Sequence, residues 1–500
     1  MLAAVTGLAL AWLWGFYDAQ RQDKWIRTAI IGLAAYAGLL IWVLFGSRWP
    51  ARARWTMFLG TIGVVFFCRF CLRISGVTGD LIPILEWRWK RPRLVSVEHG
   101  AGGQIGAVIG LTNSYPQFLG PTRDGKLPGP HLARDWRKTP PQELWRHAVG
   151  SAWSGFAIEG GRAITQEQRG EKELIVCYDV TTGAELWTHA DQARYATTIA
   201  GEGPRATPTI ASQSVFTLGG TGILNCLDLA SGKTVWSTNT IAGYGADIPD
   251  WGAACSPLVT KTAVIITVGG AGHALVAYDR MTGRTLWAAG SDGVHWSSPM
   301  RMGFLGKNPQ IVTFNDTVAG HDEETGKVLW QYRWRGGHPH VTPPVAIGVD
   351  TFLVSSGYGT GSELVRLSVD GERWRATRVW KSIRLKSKFA NIIRQGDFLY
   401  GLDDGALVCL DLRTQQLRWK GDRYGHGQMI LVGDLILLEA ESGDIALIEP
   451  TPDEPRELSR FKVFRGKTWN PPALAGDLLV MRNDREAVCL RLPTMVSPSK

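Results

Sequence analysis

Aromatic, cationic and imidazole side chains recur just ahead of short apolar runs in this chain. Trp153, Arg205, Trp251, Trp296, His340, Lys388, His426 and Trp469 are the candidates, with Asp247, Asp250, His295, His338 and Asn391 beside them in the same segments. Tryptophan with Arg and His on one surface suits recognition of a polar ligand or a peptide, since each ring supplies a large rigid contact and each polar head a directed hydrogen bond. The competing reading is that Trp153, Trp296 and Trp469 fill the taper of a barrel-like interior. His338-Pro339-His340 invites a metal, but no third ligand accompanies it, so no metal site is assigned. Cys68 and Cys71 form an isolated CxxC in an apolar stretch, which reads as buried thiols rather than a redox or metal pair. No catalytic residue is assigned.

The elements that must position these residues are legible as a repeat. Between Trp145 and Phe461 an aromatic residue closes a similar phrase eight times: Trp145, Trp187, Trp236, Trp287, Trp330, Trp380, Trp419 and Phe461, at intervals of 39 to 51 residues. That is the period of one four-stranded propeller blade. Well-preserved copies run Cys177-Tyr178-Asp179 to Thr182-Gly183 to Trp187, and Cys226-Leu227-Asp228 to Ser231-Gly232 to Trp236. Asp opens a turn by accepting from backbone NH groups ahead of it, Gly supplies the left-handed position, and the Trp ending the next strand is large enough to cover the gap to a neighbouring blade. Trp187, Trp236, Trp287, Trp330, Trp380 and Trp419 are therefore assigned as docking residues. The copies at Val369-Asp370-Gly371 with Trp380 and at Ile448-Glu449-Pro450 with Phe461 are degenerate.

A second series agrees. Innermost strands begin near Phe156, Pro208, Pro257, Pro299, Pro344, Ile392, Met429 and Pro472, again eight. Glu143-Leu144-Trp145 lacks strands before it and Glu486 to Leu490 lacks a Trp strand after it, so pairing the two closes the ring and removes the open edges. The expected fold is an all-β, eight-bladed propeller of four-stranded antiparallel blades over residues 115–495. Cys177, Cys226, Cys409 and Cys489 share one repeat position with Ala277 and Gly320, which asks for a small residue and not for disulfides.

Residues 1–75 read as a membrane region of two to three transmembrane helices, over Leu2 to Tyr17, Ile26 to Phe45 and Trp55 to about Phe70. Residues 76–114 read as linker and 496–500 as a tail. Of the net charge of +9, +7 lies in residues 1–110, beside apolar helices, so the charge is read as a topology signal and nucleic acid is not expected as a partner. The Arg-rich loop Ser47 to Arg54 is placed in the cytoplasm, which puts the propeller on the periplasmic side of a bacterial inner membrane.

The Asp-x-x-[Thr/Ser]-Gly-x-x-x-Trp phrase resembles the tryptophan-docking repeat of the pyrroloquinoline quinone-like, or quinoprotein alcohol dehydrogenase-like, propellers, over about Pro116 to Leu492. Tyr115 to Gly125 is similar to the opening signature of bacterial members often held in a membrane. The resemblance implies one of two functions. One is a quinone-dependent alcohol or sugar dehydrogenase, with the quinone and Ca²⁺ near the ring centre and an Asp as base. The other is a non-catalytic propeller that binds partner proteins through its loops. The chain lacks the adjacent Cys-Cys pair of many such dehydrogenases, and no Glu, Asn and Asp set for Ca²⁺ emerges from spacing. The leading expectation is a membrane-anchored scaffold that binds a protein or small polar ligand and carries no cofactor; pyrroloquinoline quinone with calcium is the alternative.

Overall fold

The computed structural model describes residues 2–17, 19–89, 113–336 and 339–495. The chain divides into an N-terminal unit and a larger unit that holds the propeller. In the N-terminal unit, helices run over Leu2–Gly15, Arg21–Ile41 and Ala51–Cys71, the second ending in a wider turn at Trp42–Gly46. Arg21–Gly46 and Ala51–Cys71 are long and apolar enough to cross a membrane; Leu2–Gly15, with 14 residues, falls short of the ~17 a span needs. A hairpin of Leu72–Val77 with Pro83–Trp87 occupies part of the stretch read as linker. Most of that linker, and the tail 496–500, lie outside the described residues.

The larger unit is an eight-bladed propeller. Seven blades of four antiparallel strands follow one another along residues 157–191, 209–239, 258–289, 300–333, 345–382, 393–423 and 428–462. The eighth joins Ala473–Ala475, Leu478–Arg482 and Glu486–Arg491 to Gln142–Ala148 from the other end of the domain. Cys489 pairs with Trp145 and Val488 with Arg146, so the expected closure is present.

The outer hairpin of each blade explains the repeat phrase. The docking Trp lies directly across from a small residue in Cys177–Trp187, Cys226–Trp236, Ala277–Trp287, Gly320–Trp330 and Cys409–Trp419. Immediately after this pair the register shifts by one residue, in every blade. Such a bulge twists the strand end. A Cβ on Gly320 would stand 2.3 Å from Trp330, which shows why the opposing position stays small.

Each indole then covers the turn of the next blade. Trp145, Trp187 and Trp236 donate Nε1–H to the carbonyls of Val180, Leu229 and Arg280 at 2.9, 3.1 and 3.0 Å. Each acceptor is the residue after the turn Asp. A Cβ on Gly183, Gly232, Gly283 or Gly326 would fall 2.4 to 2.7 Å from the indole above it, so glycine is required there by contact as well as by its positive φ. In the turn without glycine, Gln415 takes the left-handed conformation itself at φ 64°.

The two degenerate phrases have separate causes. In the fifth blade, Gly361–Asp370 and Arg373–Ser382 form a hairpin of ten-residue strands, which carries its turn far from the core. Trp330 of the fourth blade instead stacks on Phe352 at 5.2 Å and donates to Gln310 Oε1 at 2.6 Å. In the seventh blade the register places Ser459, not Phe461, at the Trp position, opposite Leu447. Phe461 pairs two residues away with Ile445, which corrects the sequence reading. Ser459 Oγ accepts the backbone NH of Trp136, and Trp136 is buried in the core shared by the seventh, eighth and first blades. A tryptophan from the entering segment thus joins the core where the repeat lacks one.

Candidate functional site

Neighbouring inner strands are tied together through short side chains over much of the ring. Gly155 N donates to Thr207 Oγ1, Thr207 N to Ser256 Oγ and Ser256 N to Ser298 Oγ, at 2.9 to 3.2 Å, each bond crossing to the next blade. Asn391 exchanges two bonds with the backbone of Met429, and Asn470 donates to the carbonyls of Ala152 and Ser154. This belt fixes where the residues two positions earlier must stand.

That earlier position, four residues before the inner-strand residue in line with the Cys–Trp pair, holds Trp153, Arg205, Ala254, Trp296, Val341, Phe389, His426 and Trp469 around the ring. The structure connects many of them into a row of rings. Trp153 meets Trp469 at 5.1 Å, Trp469 meets Phe389 at 5.3 Å, and Phe389 meets Trp251 at 5.7 Å. Trp251 meets Trp296 at 5.1 Å, and His426 joins at Phe389, 5.6 Å away. Such spacings suit tilted and edge-on aromatic contact.

Three sequence candidates do not face outward. His340, Lys388 and His426 are only 2%, 1% and 1% exposed. His340 is stacked between His295 and Phe314, each at 4.4 Å, and its Nδ1 meets the carbonyl of Asn315 at 2.7 Å. Lys388 lies over the ring of Tyr358 at 5.0 Å. Trp251, Trp296, Phe389 and Trp469 are partly exposed, and Trp153 is buried beneath them. His338 lies outside the described residues.

Two important residues escaped the sequence reading. Phe389 joins the two tryptophan pairs, and its signal was present: it stands three residues before the inner-strand start Ile392, as Trp469 stands before Pro472. Lys467 was not foreseeable from the repeat. Its ammonium sits 4.4 Å from the Trp153 ring and 4.0 Å from that of Trp469. Burial pushes its pKa down to about 8, helped by Arg205 and Arg485 and opposed by Asp484 and Glu441. Glu441 also accepts from Trp469 Nε1 at 3.1 Å and from the backbone NH of His426 at 3.0 Å. Arg205 covers the ring of Tyr195 at 4.6 Å, and burial lowers its pKa to about 10.

The segment that enters the propeller lies against the inner strands. Residues 115–127 run beneath six blades: Tyr115 bridges Ile158, Ile210 N donates to Pro116 O, and Lys126–Leu127 pairs with Leu431 and Val432. Gly125 abuts Asn391 and Ile393. Arg123, 4% exposed, donates to the carbonyls of Ser256, Pro257 and Pro299 at 3.1 to 3.2 Å. A guanidinium thus satisfies three inward carbonyls of the third and fourth blades.

Within the described residues of the propeller unit, no three His, Cys, Asp or Glu side chains converge to hold a metal ion. One solitary buried carboxyl is Glu439, 1% exposed, with neither oxygen hydrogen-bonded; burial raises its pKa well above the usual range. One carboxyl is not a calcium ligand set.

Fold and site together define a closed repeat propeller with an entering segment along its inner strands and an aromatic face. The chain belongs to the family described as outer membrane protein assembly factor BamB, whose profile matches residues 138–246 and 220–454. A curated relative, the BamB of Bordetella pertussis, is 26% identical over 146 residues, 29% of this chain and 35% of the relative; the match thus spans about a third of that relative's length. Among solved structures, BamB from Moraxella catarrhalis aligns at 14% identity and TM-score 0.51 over 71% of this chain and 99% of its own. The quinohemoprotein alcohol dehydrogenase of Comamonas testosteroni aligns at 12% and 0.55, over 78% and 82%. At these identities both likenesses concern the fold alone.

Proposed function

We propose that this protein is a membrane-tethered, non-catalytic scaffold whose aromatic face binds a partner protein on the periplasmic side of a bacterial inner membrane. The observation that carries the reading is the row Trp469–Phe389–Trp251–Trp296, partly exposed rings that continue into the buried Trp153 and are flanked by Arg205 and Lys467. Rigid aromatic anchors beside cations are what protein interfaces use for most of their binding energy. Membership in the BamB family supports an envelope-assembly role, and the two long apolar helices support the anchor. The side of the membrane rests on the Arg-rich loop between them.

The quinone-dehydrogenase reading is disfavoured by the residues near the ring centre. A quinone with Ca²⁺ needs several ionised or amide oxygens around one point, whereas the groups found there are the Arg123 guanidinium, bonded to backbone carbonyls, and the rings meeting at Phe389.

The test is site-directed photocrosslinking in cells, with the photoreactive residue at Trp296 or Trp469, or at Met281 on an outer turn as control. A discrete crosslinked protein from the first two sites and none from the third supports the scaffold. Calorimetric binding of pyrroloquinoline quinone with Ca²⁺ by the purified chain, accompanied by alcohol oxidation with an artificial acceptor, would overturn it.

A further inference from the structure

The basic residues of the propeller are not spread evenly. Between Glu372 and Asp397 the sequence carries Arg373, Arg375, Arg378, Lys381, Arg384, Lys386, Lys388 and Arg394 and no acid. Most of this run is the outermost strand and exit of the fifth blade, the one whose hairpin departs from the repeat. At its end, Lys381 and Ile383 line an open cleft of about 500 Å³ together with Arg333, Trp334, Arg335 and Tyr358.

The chemistry of that cleft is one-sided. No carboxylate lines it. Arg333 and Arg335 are exposed and form no ion pair among the described residues, and the carboxylate 3.6 Å from Lys381, that of Glu363, is shared with Arg378. Trp334 is buried, its Nε1–H donated to Ser356 Oγ at 3.3 Å, so it forms a fixed floor. Tyr358 holds a left-handed turn at φ 56° and is braced by the ammonium of Lys388, which adds to the positive field. Ile383 and Val379 are 55% and 42% exposed beside these cations. Two unpaired arginines and a lysine whose carboxylate partner is shared with Arg378 make a small open cleft that selects a compact anion, and arginine's fork matches phosphate oxygens; apolar side chains at the rim suit a ligand with an acyl or glycerol portion.

We propose that this cleft is a phosphate-binding site, taking the phosphate of an anionic lipid headgroup or of a soluble phosphate ester, with Arg333, Arg335 and Lys381 as its ligands. It is independent of the scaffold reading, which concerns the aromatic face.

The test uses the full chain in non-ionic detergent at low salt. Calorimetric titrations employ short-chain phosphatidylglycerol, short-chain phosphatidylcholine, glycerol phosphate and a poly-glutamate peptide. The expected result is saturable binding of phosphatidylglycerol, weakened by salt and by about tenfold or more in Arg333→Gln combined with Arg335→Gln. Lys381→Gln should weaken it too, whereas Lys233→Gln, on the exposed outer turn of the second blade, should not. Binding of phosphatidylglycerol well above glycerol phosphate assigns a lipid headgroup; equal binding assigns a soluble ester. Preference for poly-glutamate, equal binding of phosphatidylcholine, or unchanged affinity in the arginine variants with an unaltered melting temperature would overturn the proposal.

Discussion

Cys489 and Trp145 face one another across the last strand pair, 344 residues apart in sequence, in the same register as Cys177 and Trp187 within a single hairpin. The ring therefore closes by repeating its internal contact with the two ends of the domain. The seam is also polar inside. Glu167, fully buried in the first blade, accepts from Arg169 at 2.9 Å, Tyr178 at 2.7 Å and Gly150 N at 2.7 Å. Arg482 of the eighth blade lies 3.9 Å away and donates to Thr165 Oγ1 and the carbonyl of Gln166.

Replacing Glu167 by Gln should cost about 3–5 kcal/mol, the usual loss when one partner of a buried ionic group is removed. Burial pushes the Glu167 carboxyl up, but Arg169, Arg482 and its hydrogen bonds more than offset this and hold it below the ordinary range. A depressed folded pKa stabilises above the unfolded value, about 4.3, and this contribution is lost as pH falls further. Denaturant melts at pH 7 and below pH 4 should show the gap between wild type and Glu167→Gln narrowing in acid.

Glu173 titrates in the opposite sense. Burial, reinforced by Asp191 and opposed by the Gly220 NH, raises its pKa from 4.5 to about 7. The folded state holds this proton more tightly than the unfolded one, so stability is full below pH ~4.5 and declines as pH rises towards 7. Glu173→Gln should remove that decline. Melting temperatures across pH 5 to 8 report it; parallel curves for the two proteins would show the carboxyl to be ionised throughout.

Docking of tryptophan on the next blade's turn is separable into area and hydrogen bond. Trp236→Ala should lower stability by about 3–5 kcal/mol, and Trp236→Phe by less, keeping most of the area but leaving the Arg280 carbonyl without its donor at ~1 kcal/mol. Chemical unfolding monitored by far-UV circular dichroism provides the comparison.

Gly232→Ala tests the other side of the same kind of contact. Its new methyl would meet Trp187 at 2.4 Å and sit at φ +69°, so a loss of about 1–3 kcal/mol is expected. Gly371→Ala, with the same sign of φ but open space around it, should cost about 1 kcal/mol, the conformational part alone. Equal losses in limited proteolysis or melting would show that the indole yields freely.

The blade count, the closure and the equivalence of the cysteines were legible because each rests on a local phrase whose turn residues and strand spacing repeat. Phe389 was legible too, once its offset from Ile392 was compared with that of Trp469 from Pro472. What the repeat could not carry was decided by contacts between distant segments. Ser459 rather than Phe461 holds the seventh docking position because the bulge sets register, and Trp136 reaches it from outside the blade. His426 shares the repeat position of Trp296 and Trp469, and His340 and Lys388 stand one residue before it, but all three are buried against rings contributed from other blades, among them Phe314, Tyr358 and Phe389. Lys467 finds Trp153 only because the eighth blade lies beside the first. Sequence determines a periodic unit through short-range turn chemistry; which of its side chains meet across a closed ring depends on loops whose lengths and compositions do not repeat.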